Sequence, residues 1–248
     1  MRFDIITLFP ELFGPLLSNG VTRRAFVSGQ VEVHFANPRD FSGAGYRRVD
    51  DRPFGGGPGM VMMAGPLQQC LQHVQSERSH MAPVVLFSPI GKPLDQTMVT
   101  RWAGSEGAVL VCGRYEGVDQ RFVDTCVDEQ VSLGDFVLSG GEIAAMALLD
   151  AVARLQPGVL GDAMSHQQDS FNESLDGLLD CPHYTRPEQW QGGLVPEILL
   201  SGHQANIARW RRDQSLLLSA RLRPDLIVQA RSQGRLSVRD EDCLARLA

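Results

Sequence analysis

Pro83-Val84-Val85-Leu86-Phe87, the turn Ser88-Pro89-Ile90-Gly91, a helix-patterned stretch from Asp95 to Trp102, and Ala108-Val109-Leu110-Val111-Cys112 together decide the fold class. Two short runs of apolar, largely β-branched residues around a helical segment describe strands buried on both faces, joined by a crossover helix. Working outward, Phe3 to Phe9, Val31 to Ala36 and Val127 to Leu133 read as further strands. Glu11 to Leu17, Pro66 to Arg78 and Glu142 to Leu155 read as helices, the last stopped by Pro157-Gly158. This alternation predicts an α/β chain with a mostly parallel sheet.

Three of the predicted strands end in glycine-bearing turns. They are Ser88-Pro89-Ile90-Gly91, Gly113-Arg114-Tyr115-Glu116-Gly117, and Leu133-Gly134-Asp135-Phe136-Val137-Leu138-Ser139-Gly140-Gly141. Parallel sheets bind ligands at the carboxyl ends of their strands, so these turns are expected to converge on one binding site. A fourth glycine loop, Asp50-Asp51-Arg52-Pro53-Phe54-Gly55-Gly56-Gly57-Pro58-Gly59-Met60, lies in a long polar segment from Arg39 to Gly59. Glycines and prolines at this density exclude a helix or a central strand and make a shaped loop. It is neither a phosphate loop, since no Lys-Ser/Thr follows the glycines, nor a dinucleotide fingerprint, since Met60 stands where the third glycine belongs. A loop of this length inside a compact domain serves either a purely structural purpose or a lid or binding role, the second making Asp50, Arg52 and Gly55, Gly56 and Gly57 candidate substrate contacts.

The 248 residues, 43% hydrophobic and 21% charged, suffice for one large domain or a large and a small one. No apolar run is long enough to span a bilayer, and the first ten residues are too short for a secretion signal. Five cysteines without a close pair argue against a disulfide framework or zinc ribbon, so the cytoplasm is the expected compartment. The net charge of −6 speaks against a protein that coats nucleic acid, but its distribution is uneven. From Arg186 onward lie ten of the 23 basic and seven of the 29 acidic residues, leaving thirteen basic and twenty-two acidic before it. That pattern suits an acidic body with a basic arm that meets phosphates, with Arg209 and Arg212 as candidate contacts; a solvated helical face accounts for it nearly as well. Residues 161–185 are polar, with little periodicity, and are expected to form a flexible linker between a domain over 1–160 and a helical one over 186–248. Within the latter, Ser201-Gly202-His203-Gln204 reads as a capping box opening a helix that runs to about Arg221.

Several ordered blocks go beyond this general reading. Asn37-Pro38-Arg39-Asp40-Phe41, Val49 to Met60, Val111-Cys112-Gly113-Arg114-Tyr115-Glu116-Gly117, Gly134 to Glu142, and Leu178-Leu179-Asp180-Cys181-Pro182-His183-Tyr184-Thr185-Arg186-Pro187 together resemble the bacterial tRNA (guanine-N1)-methyltransferases. The resemblance implies the knotted SPOUT fold, working as a homodimer, with S-adenosylmethionine bent in a pocket made by the trefoil-knot loops. The cofactor contacts would then be Ser88, Pro89, Gly91, Gly113, Tyr115, Glu116, Leu133, Gly134, Asp135, Phe136, Val137, Leu138, Gly140 and Gly141, with Tyr115 and Phe136 flanking adenine. The implied activity is methylation of N1 of the guanosine just 3′ of the anticodon, guanosine-37, in tRNA, with no DNA or membrane partner.

By the same resemblance Asp169 is the base that takes the N1 proton, and Arg154 is the cation that stabilises charge spreading to O6. Taken alone, Asp169 reads as a turn residue and Arg154 as half of a surface pair with Asp150, four residues earlier on the same helix. Magnesium is implied as a second cofactor, held by Glu116 and Asp169. Cys181 and His183 lack partners for a zinc site and read as packing and polar contacts. Two rivals are a knotted RNA methyltransferase acting on a ribose hydroxyl and a catalytically silent RNA-binding module; a base facing a guanine edge argues against the first, and the presence of both Arg154 and Asp169 against the second.

Overall fold

The computed structural model describes residues 1–43, 47–161 and 165–246. The chain divides into two compact units, Met1–Gly161 and Asp162–Ala248.

In chain order the first unit contains β1 (Arg2–Ile6), α1 (Gly14–Ser18), α2 (Arg23–Val27), β2 (Glu32–Ala36), β3 (Asp50–Asp51), β4 (Val61–Met62) and α3 (Ala64–Ser76). It continues with β5 (Val84–Pro93), α4 (Gln96–Ala103), β6 (Val109–Val111), α5 (Gln120–Cys126), β7 (Glu129–Ser132) and α6 (Glu142–Ala153). Five of the strands form a wholly parallel sheet in the order β2-β1-β6-β5-β7. Alternation along the strands divides the core in two. Phe3, Ile5, Val85, Phe87, Leu110 and Cys112 pack beneath α4 and α6, against Val99, Trp102, Leu148 and Val152. Ile6, Val84, Leu86, Val109 and Val111 pack on the other face, against Leu67, Cys70, Leu71 and Val74 of α3 and Phe122 of α5. Burial on both faces explains why β5 and β6 read as unbroken apolar runs. Asp95 starts α4 by accepting the Met98 N–H at 2.8 Å.

Several boundaries differ from those expected. β1 stops at Ile6, because Pro10 opens a 3-10 turn over Pro10–Phe13 and only then does α1 begin. The long loop holds more regular structure than expected, most of a 3-10 turn over Pro38–Phe41 and the strand β3, which pairs antiparallel with β4 just beyond the loop; its residues 44–46 lie outside the described residues. The largest correction concerns β5, which does not end at Phe87. Phe87 and Lys92 both face Val131, so Ser88 to Gly91 leave the ladder as an excursion and the strand resumes beyond them.

The second unit contains the two-stranded pair β8 (Gln189–Trp190) and β9 (Gly193–Leu194), followed by α7 (Glu197–Leu200), α8 (Gln204–Leu222), α9 (Pro224–Ser232) and α10 (Val238–Ala245). Leu178 is wholly buried in its core with Leu216, Leu226, Ile227 and Ala230. The expected linker over 161–185 therefore includes a packed segment, although its residues 162–164 lie outside the described residues. Leu179 N–H donates to Ser219 Oγ at 3.0 Å, and Ser215 Oγ–H donates to Leu179 O, so backbone bonds to α8 do the work that apolar periodicity would otherwise show. The capping box expected at Ser201 to Gln204 is absent. His203 occupies the cap without a side-chain bond, and the reciprocal box forms at Ser237 and Asp240, at the start of α10. Among the described residues no helix is long and apolar enough to cross a membrane.

Candidate functional site

The chain runs from β5 to its inner neighbour β6, then back past β5 to β7, so the sheet reverses direction of growth at this point. At the carboxyl ends of β6 and β7, and at the Ser88 to Gly91 excursion within β5, lies a cleft of about 210 Å³. Ser88 and Pro89 form one wall, Gly113, Tyr115 and Glu116 a second, and Leu133, Phe136, Val137, Leu138, Gly140 and Gly141 a third. Of the residues expected here, Gly91, Gly134 and Asp135 are not on the lining. Phe87, Ser132 and Ala144 line the cleft without having been expected, the apolar ones having read only as core, while Arg114 and Ser139, which stand in the expected turns, line it as well.

Glycine does different work at different points. A β-carbon on Gly141 would stand 2.8 Å from the Cys112 Cα, and one on Gly140 2.2 Å from Arg114 Nε, so both permit close approach of chain segments. Gly134 has φ +149 and leaves room for the ring of Phe136, which would be 3.2 Å from a β-carbon there. Gly91 and Gly134 thus shape the wall from behind. Tyr115 adopts φ +61, an uncommon conformation for a side chain of its size, and its ring is half exposed at the mouth together with Phe136. Two half-exposed aromatic faces above a glycine cradle, with backbone N–H groups at strand ends, suit a flat heterocycle carrying a polar chain.

The Asp50 to Met60 loop meets this cleft through Glu116. Glu116 N–H donates to Met60 O at 2.9 Å, Met62 N–H donates to Gly117 O at 2.9 Å, and a β-carbon on Gly59 would collide with Glu116 Oε1 at 2.3 Å. Gly55, Gly56 and Gly57 have positive φ with open space around them, so they serve the bends of the loop rather than a close approach. Phe54 is fully exposed at the tip and Arg52 is exposed beside it, while Asp50 is half-buried at the base. Beneath the cleft, burial pushes the Cys112 thiol well above its ordinary value, reinforced by the Glu142 carboxylate.

Arg154 is half-buried and caps the carboxyl end of α6, its amide donating to Asp150 O at 3.1 Å. Asp169 belongs to the second unit, half-buried just after the 3-10 turn Ser165–Gln168, and its carbonyl accepts the Asn172 N–H at 3.3 Å. The two carboxylates expected to hold magnesium therefore come from different units. Among the described residues no group of three or more His, Cys, Asp or Glu side chains could hold a metal ion. His183 Nε2 lies 2.9 Å from Asp180, and burial raises the Cys181 thiol, with Asp180 adding to it.

Arg209 and Arg212 are not the exposed cations that phosphate contact calls for. Arg209 pairs with Asp213 and Asp240, and Arg212 with Asp176 at 2.8 Å and Asp240 at 3.2 Å, both guanidiniums being largely buried. They tie α8 to α10 and to the segment before it. Arg211, between them, is exposed.

The family profile described as tRNA (guanine-1)-methyltransferase TrmD matches residues 1–229. A protein of Albidiferax ferrireducens named tRNA (guanine-N(1)-)-methyltransferase is 71% identical over 245 residues, covering 99% of each chain. One of Bordetella pertussis with the same name is 58% identical over 252 residues, covering 100% of this chain and 98% of its own. The length and identity of these matches leave one conclusion: the chain belongs to the tRNA (guanine-1)-methyltransferase family.

Proposed function

We propose that the protein transfers a methyl group from S-adenosylmethionine to N1 of the guanosine 3′ of the anticodon, guanosine-37, in tRNA. The observation that carries this reading is a glycine-built cleft at the carboxyl ends of β6 and β7 and the excursion in β5, in a chain matched by that family over residues 1–229. S-adenosylmethionine, when bound, supplies a methyl group on a positively charged sulfur. Gly113, Gly140 and Gly141 let the cleft loops pack closely enough to shape the pocket for it, and Tyr115 and Phe136 hold the adenine between them. The excursion of Ser88 to Gly91 out of β5, together with the return of β7 past β5, supports the knotted topology that the resemblance implies.

N1 of guanine carries a proton at neutral pH, and methylation requires its removal. Asp169 takes that proton, and Arg154 stabilises the negative charge that spreads toward O6. On the family resemblance, we propose that a homodimer completes the site, with Asp169 ordered over the cleft once tRNA binds. The protein works in the cytoplasm, where its substrate is found.

The test is incubation with an unmodified tRNA transcript carrying guanosine at position 37 and radiolabelled S-adenosylmethionine, followed by nuclease mapping. The expected result is label in 1-methylguanosine at that position alone. Label on a ribose, or none, would overturn the reading.

A further inference from the structure

The cleft is held by a buried polar network for which the chemistry above has no use. Glu142, the first residue of α6, is 1% exposed. Its Oε1 accepts the Thr7 hydroxyl at 2.8 Å and Arg114 Nε–H at 3.1 Å, and its Oε2 pairs with Arg114 Nη2 at 2.9 Å. Thr7 is wholly buried at the end of β1 and also accepts the Phe9 N–H at 3.0 Å. Arg114 lies on the second cleft loop. Its Nη1 donates to Ser139 O at 3.3 Å on the third loop, and its guanidinium covers the Phe9 ring at 4.5 Å. Arg114 and Gly140 form a bridge, Gly141 N–H donates to Gly113 O at 3.0 Å, and the missing side chain of Gly140 makes room for Arg114 Nε.

A carboxylate this deeply buried is costly unless paired, and here it has a guanidinium fork, a hydroxyl and the positive end of a helix. Any substitution that leaves Arg114 or Glu142 alone leaves a buried charge. Such an arrangement holds geometry more effectively than it adds stability. Two segments depend on that geometry. The 113–117 and 139–141 loops are the two walls that Arg114 joins, and α6 is the rigid rod that runs from Glu142 to Arg154, about 18 Å at 1.5 Å per residue.

Resting on the reading of the cleft as the methyl-donor site, we infer that Thr7, Arg114 and Glu142 are positioning residues: Arg114 sets the spacing of the two donor-binding walls, and Glu142, anchored on Thr7 and Arg114, sets the axial position of the helix that presents Arg154. The two roles separate in kinetics. Arg114→Lys keeps the charge but loses the two-point fork, so the walls loosen while α6 stays seated. Glu142→Gln keeps an acceptor for Thr7 but loses the charge that seats the helix.

The experiment titrates S-adenosylmethionine calorimetrically into the full-length protein and measures single-turnover transfer at saturating donor and tRNA. For Arg114→Lys the expected result is affinity reduced about tenfold or more, with the saturated rate changed less than about threefold. Glu142→Gln is expected to lose about tenfold in both. Thr7→Val, which removes one hydroxyl, is expected to lose about threefold in affinity. A merely structural network would lower the melting temperature and the active fraction while leaving the dissociation constant of the folded protein unchanged; that pattern in Arg114→Lys and Glu142→Gln overturns the inference. Should either fail to fold, unchanged affinity in Thr7→Val overturns it. Wild-type protein that does not bind S-adenosylmethionine would instead sink the reading of the cleft, whereas wild-type binding with unchanged variants sinks only the positioning roles.

Discussion

Gly91 and Val131 meet backbone to backbone: a β-carbon built on Gly91 would stand 2.4 Å from the Val131 amide nitrogen. The contact lies where β5 rejoins its ladder after the Ser88 to Gly91 excursion, so it fixes one wall of the cleft from a position outside its lining. Gly91→Ala must push β5 away from β7, and overpacking of this kind costs about 1–3 kcal/mol. We expect a lower melting temperature together with weakened S-adenosylmethionine binding. Gly65→Ala, in α3 where a β-carbon meets nothing within 4 Å, serves as the control and should be neutral or stabilising by up to about 1 kcal/mol. Equal behaviour of the two variants in thermal melts would remove the argument.

Gly141→Ala should impair donor binding more than Gly113→Ala. The first places a methyl group 2.8 Å from the Cys112 Cα, a backbone atom that cannot retreat, and the second 3.3 Å from the Val118 Cγ2, a side-chain atom that can. Calorimetric affinities in the reverse order would show that the backbone at Gly141 yields.

Asp169→Asn preserves size and most hydrogen bonding but removes the base. Single-turnover methyl transfer should fall by about 10²–10⁴, while tRNA affinity changes far less. Arg154→Lys keeps charge without the planar fork and should slow transfer as well. A rate for Asp169→Asn near that of wild type would mean that another group accepts the N1 proton.

The second unit should carry an acid-sensitive tie. Burial raises the Asp240 carboxyl, but hydrogen bonds from Arg212 and Ser237 outweigh it and hold the group at about 2, below its ordinary 3.8. Arg209 holds Asp213 below its ordinary value in the same way, against the opposing effect of burial. A depressed carboxyl contributes stability that is fully present above the unfolded-state value and is lost as pH falls through the folded one. Melting temperature should therefore drop as pH falls from about 4 toward 2. Asp240→Asn should be less stable at neutral pH and flatter across that window; an unchanged acid profile would show that the pair contributes nothing.

Arg212→Gln breaks the tie to Asp176 and Asp240, so its main effect should be on stability. The exposed Arg211 is the better candidate for phosphate contact, and Arg211→Gln should reduce the slope of log affinity against log salt by about one without lowering the melting temperature. A variant pair with these effects exchanged would return Arg212 to the RNA-facing surface.

Local signals determined much of this protein from sequence alone. Val84-Val85-Leu86-Phe87 and Val109-Leu110-Val111 announced buried parallel strands because a strand covered on both faces has no polar face to show. The glycines of the 113–117 and 133–141 loops announced a site because backbone freedom is encoded residue by residue. What only the tertiary structure decided depends on partners distant in the chain. Nothing near Phe87 says that β5 will resume at Lys92, because its partner Val131 is contributed by another strand. Arg114 and Glu142 are 28 residues apart, as are Arg212 and Asp240, and neither guanidinium could be told from a solvent-facing one until the chain brought its carboxylate alongside. Leu178, with Leu179 in an otherwise polar stretch, read as linker because two adjacent side chains filling a gap between helices leave no periodicity to detect. Periodicity and backbone preference are properties of neighbouring residues, whereas the pairing of a buried charge and the filling of a core are settled only by what folding places beside them.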